Sequence, residues 1–146
     1  MKVYRICRED YANSLVASGR MNRWNKEGQH VIYAAESRAL CALELLAHTN
    51  GVVPVGNYKT MVVEIPEASI QEITVSELPE HWKSVKAYPQ LQRLGSQWYE
   101  AQSHLLLKVP SVLIPTEFNY VINTKHPDFK QVRIENLESF FWDDRL

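Results

Sequence analysis

Apolar and polar residues change rhythm several times along the chain, and each change marks an element. Lys2–Ile6 alternates as a short strand. Gly19 to Gly28 is polar except for one large aromatic, Trp24. His30–Ala35 is β-branched and aromatic, which predicts a strand. Ser37–Thr49 is rich in alanine and leucine, with Ser37 placed to cap it and Asn50-Gly51 placed to stop it, so the pattern predicts a helix. That helix is apolar nearly all round, which predicts burial. Lys59–Ile65 predicts a strand ended by Pro66, and Pro89–Ser103 predicts a second helix. Leu105–Val109 and Val112–Ile114 predict strands separated by a break at Pro110-Ser111. Gln131–Glu135 predicts a late strand, and the tail around Phe140, Phe141 and Trp142 predicts a short helix.

Glycine and proline are scattered, with no repeat, low-complexity tract or Gly/Ser-rich linker between these elements. A chain of 146 residues punctuated in this way is expected to be one domain spanning 1–146. Strands and helices mix without a strict βαβ alternation, which points to an α+β fold. The charges nearly cancel, 16 Lys+Arg against 17 Asp+Glu, so the bulk cationic footprint of a dedicated nucleic-acid binder is missing. No apolar run approaches the ~18 residues of a membrane span. The N-terminal residues turn charged too soon for a signal peptide, so a soluble, cytoplasmic protein is expected. In that setting the two cysteines, Cys7 and Cys41, are expected to be reduced thiols.

Several common signatures are missing: GxGxxG, the P-loop, CxxC, HExxH and GxSxG. The five histidines are not spaced like a ligand set, so no metal is expected. Four residues stand out instead. Glu44 falls on an apolar helix, where a carboxylate must find a partner, face a cleft or reach solvent at a helix edge. Arg23 adjoins Trp24 between two asparagines, and its guanidinium fork suits a diphosphate or carboxylate; alternatively it is a surface arginine beside a core tryptophan. Tyr33 points to the opposite face from Ile32 and Ala34, either to stack on a ligand or to fill the core. Ser111 sits at the strand break, within reach of whatever the sheet edge faces, or serves only the turn. Asn119 and Asn123, ahead of His126-Pro127-Asp128, suit a turn, or contact with a ribose.

Together these pieces resemble a known family. VYRI at the start, then GRMNRWNKEGQHVIYAAESRALCALELL, then LGSQWYEAQSHLLLKVPSVLIPTEFNYVINTKHPDF are similar to the RES domain, the toxin half of RES–Xre toxin–antitoxin pairs. The matching blocks are residues 3–6, 19–48 and 94–129, and their combination is more specific than either long block alone. The resemblance implies a mixed, mostly antiparallel sheet like that of ADP-ribosyltransferases. It also implies consumption of NAD as a substrate, with no cofactor. It assigns catalysis to Arg23, Tyr33, Glu44 and Ser111, and dinucleotide binding to Arg5, Arg23, Trp24, Tyr33 and Asn123. An Xre-type helix-turn-helix antitoxin that blocks the active site is the implied partner, in a hetero-oligomer. DNA contact would then belong to that partner.

The chemistry explains why such residues would be needed. Breaking the bond from nicotinamide to ribose expels a pyridinium, which needs no general acid. The transition state is oxocarbenium-like. An arginine anchors the diphosphate, an aromatic holds the ring, and a preorganised carboxylate stabilises the positive charge that builds on the ribose. The expected activity is NAD hydrolysis or phosphorolysis. Transfer of ADP-ribose to a protein and an inactive binding module of the same fold are the alternatives.

Overall fold

Strand alternation sorts the apolar side chains of one sheet onto two faces, and each face carries its own core. The computed structural model describes residues 1–67 and 69–146. The elements are β1 (Lys2–Arg8), β2 (Val31–Ala35), α1 (Arg38–His48), β3 (Tyr58–Glu64), β4 (Ile70–Glu72), α2 (Tyr88–Ala101), β5 (Leu106–Pro110), β6 (Phe118–Asn123) and β7 (Arg133–Phe140), joined in places by short 3-10 turns. The seven strands form one sheet in the order β4-β5-β6-β2-β1-β3-β7. Every neighbouring pair is antiparallel except β4 with β5. The fold is therefore α+β with a mixed, mostly antiparallel sheet, as the sequence implied.

On one face Val3, Ile32, Ala34, Met61, Val63 and Ile122 form a core closed by loop residues such as Leu15, Ala17 and Phe129. On the other face lie both helices. α2 covers Val31, Leu107, Val109 and Val121, with Trp24, Leu91 and Trp98 in the same cluster. α1 covers Ile6 and Ala35 with Leu40 and Cys41. Cys7 and Cys41 are both free thiols. No helix among the described residues is long and apolar enough to cross a membrane.

The ends of α1 are as predicted. The Ser37 side chain accepts from the Leu40 amide, and Asn50 and Gly51 turn the chain away in left-handed conformations. Its burial is not. Only Leu40 and Cys41 are buried, while Leu43 is 38% exposed and Ala39 and Ala47 are exposed. The helix is an outer layer with the sheet on one side only, so one stripe suffices to seat it.

Three further expectations are corrected. Val112–Ile114 is not a strand, because the Ser111 hydroxyl accepts from the amides of Leu113 and Ile114 and curls the chain into a turn. Phe118–Asn123 is a central strand between β5 and β2, although its asparagines suit turns. Each asparagine amide has a partner there, which removes the cost of placing it in a strand. The tail forms no helix. β7 runs to Phe140 because it pairs with β3 along its whole length, from Arg133 opposite Glu64 to Phe140 opposite Tyr58. Trp142 then packs its ring edge-on against Phe140.

α2 also fixes the polar loop before β2. Gln92 donates to the Asn22 carbonyl, and Ser96 exchanges hydrogen bonds with the Gln29 side chain. Between them Gly95 lets the loop backbone touch the helix, for a Cβ there would lie 1.7 Å from the Trp24 carbonyl oxygen. Gly95→Ala should therefore destabilise the chain by about 3 kcal/mol or more, at the upper end for overpacking. Urea unfolding measures this, and a change below about 0.5 kcal/mol would show that the contact relaxes freely.

Candidate active site

The strand that carries Tyr33 also sets its direction. Val31, Tyr33 and Ala35 alternate toward the helical face of the sheet, so the Tyr33 ring enters the space between α1 and α2. There it lines a cleft of about 260 Å³ with Arg23, Trp24, Glu44, Tyr88 and Asn119. A smaller annex of about 100 Å³ adjoins the cleft at Tyr33, Glu44 and Asn119, with Cys41 on its wall. Burial pushes the Cys41 thiol up to about 11, so it is a neutral part of that wall.

Glu44 is the carboxylate of the cleft. Ser111 Oγ donates to its Oε1 at 2.7 Å, and Asn119 Nδ2 donates to the same oxygen at 2.8 Å. Oε2 takes no hydrogen bond from any described residue. Two neutral donors thus fix the orientation of the group without cancelling its charge. The Ser111 hydroxyl is fully committed, since it accepts from two turn amides and spends its one proton on Glu44. Ser111 is buried and acts through Glu44.

Arg23 stands across the cleft. Its Nη1 donates to the carbonyls of Trp82 and Lys83, and the guanidinium lies 4.9 Å from the centre of the Tyr88 ring. Nε and Nη2 have no hydrogen-bond partner among the described residues. One edge of the fork is anchored and the other is left for a bidentate anion.

Tyr33 is tied at its far end. The hydroxyl donates to Asn25 Oδ1 at 2.6 Å and accepts from the Trp24 amide at 3.2 Å. Asn25 is buried, and its own amide nitrogen donates to three backbone carbonyls of the loop. Burial pushes the Tyr33 phenol well above its ordinary range, more than the Trp24 amide and the Arg23 charge pull it down. It stays a neutral donor at physiological pH.

Arg23, Trp24, Tyr33, Glu44 and Ser111 therefore come together, the first four on the cleft wall and Ser111 behind Glu44. Arg5 and Asn123 do not line the cleft. Arg5 donates to the Tyr33 carbonyl and faces a different cavity. Asn123 is fully buried, donating to the Tyr99 carbonyl and accepting from the Lys125 amide. Sequence reasoning missed Asn25, Tyr88 and the role of Asn119 in holding Glu44. It also missed Gln92 and Ser96, whose one signal is the spacing of Gln92, Gly95 and Ser96 along one side of α2. No group of three or more histidine, cysteine, aspartate or glutamate side chains that could hold a metal occurs among the described residues.

A carboxylate and a half-free guanidinium line one aromatic-walled cleft of a small α+β protein. The chain belongs to the RES-domain family, whose model matches residues 2–143. It is 38% identical over 128 residues to the Prs ADP-ribosylating toxin of a Sphingobium strain, covering 85% of this chain and 79% of that protein. It is 33% identical over 152 residues to Toxin Res of Yersinia enterocolitica, covering 100% and 99% of the two chains. In structure it is similar to a chain in the crystal structure of the M. tuberculosis MbcT-MbcA toxin–antitoxin complex, with a TM-score of 0.77 over 95% of this chain and 83% of that one. Sequence identity there is 14%, so the likeness is one of fold.

Two measurements test the supports of the site. Ser111→Ala leaves two turn amides without their acceptor, removes one of the two donors to Glu44, and should cost about 1–3 kcal/mol. Urea unfolding would show it. The Tyr33 phenol keeps its proton in the folded chain to higher pH than in the unfolded chain, where it is lost near pH 10. The stability this supplies is complete below pH 10 and falls as pH rises, by up to about 1.4 kcal/mol per pH unit. Tyr33→Phe should be less stable than the wild type at pH 7 and show a shallower alkaline decline. Parallel curves for the two proteins would disprove the assignment.

Proposed function

We propose that this chain cleaves NAD at the bond between nicotinamide and ribose, and that an antitoxin holds it in check. The reading rests on the Glu44 carboxylate, fixed through Oε1 by Ser111 and Asn119 with Oε2 unengaged by any described residue, in a cleft that also offers an arginine fork and aromatic walls.

NAD enters as a substrate, with no resident cofactor required. The free edge of Arg23 takes the diphosphate, and Tyr88 supplies a ring surface at that end. The nicotinamide stacks at Tyr33. The C1′–N bond breaks with its electron pair going to the ring nitrogen, which turns the pyridinium into neutral nicotinamide. Positive charge builds on the ribose, where the Glu44 carboxylate stabilises it. A water oxygen then bonds to C1′ and releases its proton to solvent, giving ADP-ribose. Phosphate in place of water gives ADP-ribose 1″-phosphate by the same step. A protein side chain in place of water makes the reaction an ADP-ribosylation, and the name of the 38% identical relative favours keeping this as the second reading.

The proposed partner is an Xre-type helix-turn-helix antitoxin that covers the cleft in a hetero-oligomer. The fold shared with a chain of a toxin–antitoxin complex supports it. A net charge of −1 fits a division in which DNA contact belongs to the partner. Such an enzyme would act on the NAD of the cytoplasm.

Purified, antitoxin-free chain incubated with NAD, with and without phosphate and cell lysate, should release nicotinamide. Mass spectrometry of the other product names the acceptor. Glu44→Gln should lower the rate by about 10²–10³-fold, the usual scale for loss of one preorganised electrostatic group. Arg23→Ala should chiefly raise KM. Folded wild-type chain that releases no nicotinamide under any of these conditions would overturn the reading.

A further inference from the structure

A second cavity, of about 400 Å³, opens on the face of the sheet away from the helices. β1 forms its floor through Arg5 and Cys7, which alternate with Tyr4 and Ile6 of the helical face. The segment after β1 forms its walls, including Asp10, Asn13, Ser14 and Val16. Arg5 is half-buried here, and no carboxylate lies within ion-pair distance of it among the described residues. A guanidinium withdrawn from water without a counter-charge is costly unless something else meets it. Its one hydrogen bond runs from Nη1 to the Tyr33 carbonyl at 3.0 Å. That bond crosses the seam where β1 and β2 part, for the two strands share a single registered pair, Tyr4 with Ala35.

We infer that this cavity is a second ligand site, for a small oxyanion that also carries a hydroxyl group, and that its occupancy is transmitted to Tyr33 through Arg5. The Nε and Nη2 edge of Arg5 matches a phosphate or carboxylate. Ser14 and Asn13 add neutral donors beside it. Asp10 repels a bare dianion but accepts a hydrogen bond from a hydroxyl, so it selects ligands in which the acid sits next to an alcohol. Val16 and Tyr11, both 71% exposed, offer apolar cover to a carbon skeleton. The link to the cleft is short: the carbonyl of Tyr33 meets Arg5 on one side while the ring of Tyr33 lines the cleft on the other. The inference does not rest on the chemistry proposed for the cleft.

Phosphate esters and hydroxycarboxylates share this chemistry, and a titration separates them. Glycerol 3-phosphate, malate, glycerol and inorganic phosphate are added to full-length chain carrying ¹³C-labelled tyrosine, followed by NMR. At least one of the first two should saturate at a concentration tenfold or more below that needed for glycerol or inorganic phosphate. The Tyr11 and Tyr33 signals should move along one common curve. Val16→Trp fills the cavity from its exposed wall, leaves Arg5 in place, and should weaken binding tenfold or more. Asp10→Asn should narrow the preference over inorganic phosphate, which serves if the tryptophan variant does not fold. The inference is overturned if neither ligand shifts Tyr11 saturably, if Tyr11 moves while Tyr33 stays still, or if a folded Val16→Trp chain binds as the wild type does and Asp10→Asn leaves the preference unchanged.

Discussion

One contact without room for a methyl group holds the site together. The Trp24 carbonyl oxygen lies where a Cβ of Gly95 would be, so α2 and the loop before β2 meet backbone to backbone. Gln92 and Ser96, on either side of that glycine, hold the loop at Asn22 and Gln29. The loop in turn presents Arg23, packs Trp24 into the core and places Asn25 under the Tyr33 hydroxyl. A helix far along the chain thus determines where an early arginine stands. The cost of the glycine in mid-helix is offset by the close approach that it permits.

The opposite wall is built on another principle. Glu44 could have been fixed by a cation, which would have neutralised it and blunted any effect on a developing positive charge. Instead, a serine and an asparagine hold one oxygen through neutral dipoles. Both donors stand at strand ends, Ser111 just after β5 and Asn119 as the second residue of β6, so the rigid part of the sheet carries the precision. The proton of Ser111 is consumed in the process. That leaves the serine behind the glutamate, off the cleft wall.

What could be read from the sequence follows from the range of the forces involved. The ends of α1 were legible because capping is local: Ser37, Asn50 and Gly51 carry their own signal. β2 was legible because its composition leaves few other conformations. Glu44 and Arg23 stood out because charges beside apolar residues need an explanation. β6 was not legible, since its asparagines read as turn formers until Glu44 and the Tyr99 carbonyl are known to be their partners. The turn at 112–116 is held by the Ser111 hydroxyl and by backbone bonds from Glu117 to Ile114 and from Ser111 to Glu117, and β7 depends on pairing with a strand some 75 residues earlier. The place of Arg5 escaped for a related reason. The resemblance implied dinucleotide binding for it, whereas strand alternation sends it to the other side of the sheet.

The two edges of the sheet differ in a way that bears on the protein's life outside any complex. One edge is the three-residue β4, too short to template much pairing, while the other is the eight-residue β7, a full row of backbone donors and acceptors. Such a row invites stacking of chain upon chain. β7 carries Arg133, Glu135 and Glu138 along its length, and the two glutamates are tied back to Lys2 and Arg38. Another copy arriving at this edge would have to take water from these charges. The outer strand therefore carries charge along an edge that would otherwise lie open to a second copy, which works against edge-to-edge pairing.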